Sequence, residues 1–256
     1  MKTALHMLDA GEGSPVVLLH GTAAPASYFE PLVKRLARSC RVLVPDMPGY
    51  GRSAPCSAGA SLEETHASLE AALLERGVAR AVLVGSSLGG YRALALALRK
   101  RIDVTGLVLL GAFASLDPAH RNALAAMADT VAPLADLRAP SLRQQIASLM
   151  FSPEYARTHP EAFARAESWL DSTRPGPLAD EVRATSRCED LRPGLPTLSI
   201  PVLCRVGELD AATPLAYSQA IVEGVSGARL EVVPRAGHAL LIEDEAATLE
   251  AIGRSL

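Results

Sequence analysis

The sequence predicts an α/β protein with a doubly wound, mostly parallel sheet and a helical insertion. In the first half of the chain, short and nearly all-apolar runs alternate with longer segments of helical period. This pattern indicates parallel strands that helices cover on both faces. The alternation stops after Phe113 and resumes near Pro201. A length of 256 residues suits one large domain, and 49% apolar with 21% charged residues is typical of a globular protein with a packed core.

The strands are predicted where the apolar runs lie. Four nearly all-apolar runs lie at residues 16–19, 42–44, 81–84 and 106–110, and the strand pattern resumes at 201–206 and 229–233, where two further strands are predicted. Helices are expected where apolar residues recur three or four positions apart, at 28–38, 62–76, 88–100, about 214–223 and 244–255. Ser61 and Glu64 have the spacing of a capping box, which predicts where the second of these helices begins.

Residues 114–199 lack the strand pattern and are rich in alanine, leucine and arginine. Nine prolines interrupt this stretch. Because proline breaks a helix interior but suits a first turn, we predict several short helices here. We therefore expect residues 1–113 and 200–256 to form the core, and residues 114–199 to form a helical cap inserted between its strands.

Charge and composition exclude several classes of protein. The net charge is −3, from 25 basic and 28 acidic residues, so nucleic acid is not an expected partner. No apolar stretch is long enough to span a membrane, and the first residues lack a signal sequence, which favours a cytoplasmic location. The four cysteines contain no CxxC pair, which speaks against a zinc site or a disulfide framework. No cofactor or metal is expected.

The sharpest motif is GSSLG at residues 85–89, where an apolar run meets a predicted helix. A strand-to-helix turn this tight holds its central residue in a strained conformation with an exposed side chain, and it needs very small residues two positions before and after. Gly85 and Gly89 meet that requirement around Ser87. Ser86 does not, because the residue two positions before it is a valine. We predict Ser87 as a nucleophile.

A serine hydroxyl needs a base, and His238 follows the last predicted strand. Loops after parallel strands project from the same sheet edge, so we expect this histidine close to the nucleophile. Asp210 ends the preceding strand-and-turn unit and is the expected carboxylate that orients the base, with Glu208 as the alternative. The Thr-Pro pair at 213–214 is expected to cap the next helix, which leaves Asp210 available.

Two backbone N–H groups are expected to form an oxyanion hole. One belongs to Leu88, directly after the nucleophile, and the other to Thr22 in the loop after an early strand. Gly21 is expected to permit an unusual turn that aims the Thr22 N–H inward. His20 is expected to brace this loop rather than transfer protons.

Taken together, these motifs resemble the α/β-hydrolase superfamily over nearly the whole chain. They are His-Gly at 20–21, DMPGYGRS at 46–53, GSSLG at 85–89, Asp210, and Gly-His at 237–238. The resemblance implies the α/β-hydrolase fold with the order Ser, Asp, His for its catalytic residues, and a structural turn at 46–53 that shapes the pocket wall. The short N-terminus implies one strand fewer at the sheet edge than in longer members.

A narrower resemblance rests on GELDAATP at 207–214, which is similar to 3-oxoadipate enol-lactonase-like and small carboxylesterase-like members. Serine at position 87 argues against dehalogenase-like or epoxide-hydrolase-like enzymes, which need a carboxylate there.

The expected function is hydrolysis of a small-molecule ester, thioester or lactone through an acyl-enzyme on Ser87. The same three residues also suit cleavage of a carbon–carbon bond or cofactor-free perhydrolysis, and a non-catalytic binding protein of this fold is the remaining alternative. The arginines of the cap are expected to form a solvated helix face, with a clamp on a substrate carboxylate as the alternative. They are Arg121, Arg138, Arg143, Arg157, Arg165, Arg174, Arg183 and Arg187. The acyl group, the leaving group and the oligomeric state stay open.

Overall fold

A seven-stranded sheet forms the centre of the protein. The structure, a computed structural model, describes residues 5–255, apart from the side chains of Phe163 and Ser172. The strands are β1 (Met7–Ala10), β2 (Pro15–Leu19), β3 (Arg41–Pro45), β4 (Arg80–Ser86), β5 (Asp103–Leu110), β6 (Val202–Gly207) and β7 (Arg229–Val233). Their spatial order is β1-β3-β2-β4-β5-β6-β7, and only β1 runs antiparallel to its neighbour. The predicted doubly wound, mostly parallel sheet is confirmed.

Helices connect the strands and follow the last one. They are α1 (Glu30–Leu36), α2 (Leu62–Glu75), α3 (Leu88–Arg99), α4 (Pro118–Val131), α5 (Pro140–Met150), α6 (Pro153–Thr158), α7 (Pro160–Trp169), α8 (Pro175–Ser186), α9 (Leu215–Gly224), α10 (Leu240–Glu243) and α11 (Glu245–Gly253). Short 3₁₀ turns occur at Ala26–Phe29, Leu170–Ser172 and Arg192–Thr197. The capping box at the start of α2 is present, with both of its hydrogen bonds formed.

The two faces of the sheet pack against different helices. In β2, Val17 and Leu19 join a cluster with residues of α2, α3 and α9, whereas Val16 and Leu18 join a second cluster with residues of α1 and α11. Successive residues of a strand point to opposite faces, so this division shows a sheet buried on both sides. That burial explains why β2 is apolar throughout rather than alternating between apolar and polar residues.

Three elements differ from their predictions. β1 was not predicted, because an edge strand of four residues that contains Asp9 has no apolar run. The helix expected at 28–38 is a 3₁₀ turn followed by α1. The helix expected at 244–255 is preceded by a separate short helix, α10.

Five helices, the α4–α8 segment, lie between β5 and β6. No residue between Leu110 and Val202, all described in backbone, joins the sheet. Each helix of the segment begins at a proline, as the proline pattern predicts: Pro118, Pro140, Pro153, Pro160 and Pro175. A cluster around α4 and α8 includes Ala23 of the loop after β2, so the segment packs directly on that loop. The division into a core and a cap at residues 114–199 stays a prediction.

No helix within residues 5–255 combines the length and apolarity needed to cross a membrane.

Candidate active site

The predicted site residues lie at the carboxyl-terminal edge of the sheet. Thr22 follows β2, Ser87 follows β4, Asp210 follows β6 and His238 follows β7. The strand order changes direction between β2 and β4, and in open α/β sheets such a switch point creates a crevice for ligands. The loops that carry these residues therefore lie at the edge of the sheet where ligands bind in proteins of this architecture.

Ser87 has a strained backbone conformation at the turn from β4 into α3. Its φ is 56° and its ψ is −124°, and its N–H donates to Leu110 O over 2.8 Å. The turn leaves no room for side chains on either flanking glycine. A Cβ on Gly85 would lie 2.3 Å from Gly89 O, and a Cβ on Gly89 would lie 1.9 Å from Leu19 O. Such strain is stored where surrounding packing holds it, often at functional sites.

Two further glycines are needed here for close packing. A Cβ on Gly90, which the sequence did not single out, would lie 2.4 Å from Ala112 Cβ. The interpretation of Gly21 as an unusual turn was wrong, because its φ is outside the left-handed region and Ala23 instead has a φ of 57°. Gly21 is required because a Cβ there would lie 2.9 Å from Ser87 Cβ.

His238 and Asp210 form a buried pair. His238 Nδ1 lies 2.8 Å from Asp210 Oδ2, and the two side chains are 4% and 0% exposed. Because a carboxylate only accepts, the ring proton sits on Nδ1 and Nε2 is left as a basic atom. Burial opposes the charged imidazolium, but the charge and hydrogen bond of Asp210, together with the charge of Glu243, outweigh it and raise the pKa of His238 above 6.5.

The second carboxylate oxygen of Asp210, Oδ1, is also held by hydrogen bonds. Oδ1 accepts the N–H of Ala212 at 3.0 Å and the N–H of Thr213 at 2.7 Å. The prediction that Thr213 caps the next helix was wrong, because α9 begins after Pro214 without a side-chain cap. Instead, Thr213 Oγ1 lies 2.7 Å from Gly111 O and 3.1 Å from His238 Nδ1. Thr213 therefore belongs to the site, which sequence reasoning missed.

Ser87 and His238 lie beside two consecutive residues, Leu110 at the end of β5 and Gly111 directly after it. Leu110 O accepts the Ser87 N–H, and a Cβ on Gly111 would lie 2.9 Å from His238 Nδ1. The Ser87 hydroxyl makes no hydrogen bond to a group within residues 5–255, His238 included. Catalytic hydrogen bonds are often long in unliganded enzymes and tighten with substrate.

The loop that carries His238 is fastened to the α4–α8 segment. The N–H of His238 donates to Met150 O over 3.0 Å. Glu243 accepts the N–H groups of Gly237 and Ser152, each at 3.0 Å, and the Ser152 hydroxyl at 2.7 Å. Sequence reasoning did not find Glu243, because nothing local distinguishes it from the other acidic residues of 243–245.

The two predicted oxyanion donors have no hydrogen-bond acceptor within the described residues. Within the described chain, neither the Thr22 nor the Leu88 N–H donates to another group. Leu88 is the first residue of α3, where N–H groups lack intrahelical partners and the helix dipole favours negative charge. Because Gly21 contacts Ser87, the Thr22 loop lies beside the start of this helix.

His20 braces that loop, as expected. It is fully buried; its Nε2 accepts the Met47 N–H at 3.0 Å, and its Nδ1 donates to Gly21 O over 2.9 Å. Burial lowers its pKa, so the ring is neutral. The turn at 46–53 is held internally, since the Ser53 hydroxyl donates to Asp46 O over 2.6 Å.

The alternative residues lie elsewhere. Glu208 accepts the Arg235 N–H at 2.8 Å and makes no bond to His238. The Ser86 side chain is buried. Within residues 5–255, no group of three or more His, Cys, Asp or Glu side chains is arranged to hold a metal ion.

The fold and this site define a hydrolase. The model of the alpha/beta hydrolase family matches residues 16–251, and the chain belongs to that family. The resemblance predicted from the sequence is confirmed.

Named relatives agree with this class. The pimeloyl-[acyl-carrier protein] methyl ester esterase of Vibrio vulnificus (strain YJ016) is 30% identical over 250 residues, covering 95% of this chain and 94% of the relative. The enzyme of the same name from Vibrio campbellii is 31% identical over 258 residues, covering 98% of each.

Solved structures show the same architecture. A thermophilic esterase from Thermogutta terrifontis superposes with a TM-score of 0.89 at 27% identity, covering 98% of this chain and 92% of that one. The enol-lactonase from Burkholderia xenovorans LB400 has a TM-score of 0.88 at 24% identity, covering 98% and 95%, and this likeness shows the fold alone.

Proposed function

We propose that the protein hydrolyses a carboxylic ester of a small molecule through an acyl-enzyme on Ser87. The observation that carries the proposal is the buried His238–Asp210 pair at 2.8 Å, which lies at the same edge of the sheet as the strained Ser87. A serine becomes nucleophilic when an adjacent base takes its proton, and an oriented imidazole is suited to do so near neutral pH.

In the first half of the reaction, His238 Nε2 takes the Ser87 proton as Oγ attacks the ester carbonyl. The negative charge on the carbonyl oxygen is stabilised by the N–H groups of Thr22 and Leu88, which have no protein partner within the described chain. The imidazolium is stabilised by Asp210 and then gives its proton to the departing alkoxide, which leaves as an alcohol.

In the second half, a water molecule takes the place of the alcohol. His238 removes one of its protons while the oxygen attacks the acyl carbonyl, and the same two N–H groups hold the oxyanion. Collapse of this intermediate breaks the bond to Ser87 Oγ, which recovers its proton from His238, and the carboxylic acid is released.

The α4–α8 segment is the proposed cap, and it supplies an apolar surface for the acyl group. Half-buried apolar side chains of α4 and α5 pack around the cluster that contains Ala23: Leu124, Met127, Leu142 and Ile146. The cluster contains Ala23, the residue after Thr22, so we expect this surface to favour acyl groups with an apolar chain.

The relatives support a small alcohol as leaving group. The most similar relatives described above are named for a methyl ester, so methyl esters of apolar carboxylic acids are the first substrates to test. Thioesters and lactones have the same reacting carbonyl and form the other arms of the test.

The cap arginines give little support for a carboxylate clamp. Arg121 donates to the carbonyls of Leu116, Ser186 and Cys188. Arg143 pairs with Asp171 and Arg183 pairs with Asp129, while the other five are exposed. These contacts favour the solvated face. We therefore expect neutral and acidic esters of equal size to be hydrolysed at rates within about tenfold of each other. A clamp would add a charge-assisted hydrogen bond and give a larger preference for the acidic ester.

The decisive test compares Ser87→Ala with Ser86→Ala. Hydrolysis of p-nitrophenyl acetate and of a panel of methyl esters, thioesters and lactones is measured for both variants. We expect Ser87→Ala to lose turnover by about 10⁴-fold or more, and Ser86→Ala to keep most of it. Full turnover by Ser87→Ala would refute the proposal.

A further inference from the structure

A chain of buried hydrogen bonds joins α8 to the loop after β2. We propose that Tyr50, held by Glu181, is a positioning residue that fixes the 20–23 loop so that its Thr22 N–H points at the oxyanion. This inference rests on the proposed function. From the sequence, the turn at 46–53 was expected only to shape the pocket wall. In this proposal Tyr50 acts through the 20–23 loop and not by contact with the reacting atoms.

The chain runs through three side chains from three parts of the sequence. The Ala23 N–H donates to Tyr50 Oη over 3.1 Å, and Tyr50 Oη donates to Glu181 Oε2 over 2.5 Å. The other oxygen of Glu181 accepts from Arg92 Nη2 over 2.6 Å. Arg92 lies in α3, the helix that begins directly after Ser87, so these bonds link that helix to the loop after β2.

Charge sets the direction of these bonds. Arg92 is 1% exposed, and Glu181 is its hydrogen-bond partner, since Nε and Nη1 contact no acceptor within residues 5–255. An ionised carboxylate only accepts, so the single hydroxyl proton of Tyr50 is directed to Glu181. The lone pairs of Tyr50 are then left for the Ala23 N–H. A buried arginine in α3 thus orients a hydroxyl that holds the loop.

The loop needs such a tie. Ala23 has a φ of 57°, a left-handed conformation that a residue with a Cβ adopts only when its surroundings enforce it. The N–H held by Tyr50 belongs to the peptide unit between Thr22 and Ala23, so the bond fixes the orientation of the residue whose N–H is the proposed oxyanion donor. The Ala23 side chain also packs among residues of α4 and α8.

The turn that carries Tyr50 is itself pressed against α8. A Cβ on Gly49 would lie 2.5 Å from Pro177 Cβ, so the turn and the first residues of α8 are in close contact. The position of Tyr50 is therefore set by α8 through both packing and the Glu181 bond. The α8 helix thereby reaches the oxyanion donor without contacting substrate.

The first test is Tyr50→Phe, with Tyr91→Phe as the matched control. Both tyrosines are 2% exposed, and the Tyr91 hydroxyl donates to Glu189 O over 3.1 Å, away from the 20–23 loop. Loss of one oxyanion donor costs about 10²–10³-fold in kcat in comparable sites, so a donor that is misaligned but present should cost about 10- to 30-fold. We expect that loss in kcat for Tyr50→Phe, with KM changed less than about threefold, and near-unchanged kinetics for Tyr91→Phe.

A transition-state analogue gives an independent readout. Phenylboronic acid forms a tetrahedral adduct with a nucleophilic serine, and one of its oxygens occupies the oxyanion hole. We expect its inhibition constant to rise for Tyr50→Phe in proportion to the fall in kcat/KM, because both depend on the tetrahedral species. A general loss of folded protein would lower the active fraction without changing the inhibition constant.

A second pair of variants avoids leaving a buried charge alone. Arg92→Met with Glu181→Gln removes both charges but keeps an acceptor oxygen for Tyr50. Arg92→Met with Glu181→Leu removes both charges and the acceptor. We expect the double variant with Glu181→Gln, called the Gln form, to keep kcat within about threefold of the unchanged protein. The kcat of the double variant with Glu181→Leu, called the Leu form, should fall to about that of Tyr50→Phe.

The outcomes separate the two proposals. If the unchanged protein is inhibited by the boronic acid while Tyr50→Phe and the Leu form match Tyr91→Phe, the positioning role is overturned and the serine mechanism stands. If Ser87→Ala retains turnover, the proposed function itself fails, whatever Tyr50→Phe does.

Discussion

The orientation of His238 by Asp210 can be tested with one isosteric change, Asp210→Asn. Asp210 Oδ1 accepts two backbone N–H groups, from Ala212 and Thr213. In the asparagine variant only the carbonyl oxygen can accept both, so it takes this side and the amide NH₂ faces His238 Nδ1. Nδ1 must then accept, and the ring proton moves to Nε2. A base that already carries a proton on Nε2 cannot take one from Ser87.

The size of the effect follows from this change of tautomer. An aspartate-to-asparagine change that preserves geometry but imposes the wrong tautomer lowers kcat by about 10⁴-fold in a comparable serine enzyme. We expect a loss of about 10³- to 10⁴-fold here, with KM nearly unchanged, because the carboxylate does not touch the substrate. Folding should survive, since both backbone hydrogen bonds to Oδ1 are kept.

The assay is steady-state hydrolysis of the best ester found in the panel, near pH 7.5, with the melting temperature measured for each variant. Glu208→Gln is the matched control, because Glu208 lies in the same turn but accepts only the Arg235 N–H. The control should retain nearly full activity. An Asp210→Asn variant within tenfold of the unchanged protein, or a larger loss in Glu208→Gln, would refute the assignment of Asp210.

Three further predictions concern the same residues. The pKa of His238 is raised above 6.5, and only the neutral ring accepts a proton. The pH profile of kcat/KM should therefore rise with a midpoint above 6.5. A midpoint well below that value would contradict the pair with Asp210. Glu243→Gln removes one of the charges that raise this pKa, so the midpoint should move to lower pH, and an upward move would show that its charge acts otherwise. Gly111→Ala puts a Cβ 2.8 Å from Asp210 Oδ2 at a φ of 52°, so this variant should lower kcat by about 100-fold or more. Its control is Gly59→Ala, at a φ of 75° with nothing within 4 Å, which should lose about 1–2 kcal/mol of stability and no activity. Equal activity in the two variants would contradict the geometry.

Much of the fold was predictable because its signals are local. The central parallel strands are buried on both sides and nearly all apolar, so they stand out in the sequence, while β1, a short edge strand that contains Asp9, does not. The prolines of the α4–α8 segment mark helix starts directly. These features need no knowledge of which segments meet in space.

The positions of Ser87, Asp210 and His238 at one edge of the sheet were predictable for the same reason, since each lies in a recognisable turn after a strand. Thr213 was misassigned because its partner Gly111 is 102 residues away in the chain. The contacts of Glu243 and the proposed positioning role of Tyr50 were missed because they depend on Ser152 and Glu181, which belong to the α4–α8 segment. The packing of that insertion over the sheet edge has no local sequence signal.

The central claim is that Ser87 forms the covalent intermediate, and its most direct test is the site of attachment of a fluorophosphonate. After incubation with the probe, intact-mass spectrometry and peptide mapping should find one adduct per chain, on Ser87, and none on the Ser87→Ala variant. Attachment to another residue, or the absence of any adduct on a protein that still hydrolyses esters, would contradict the account.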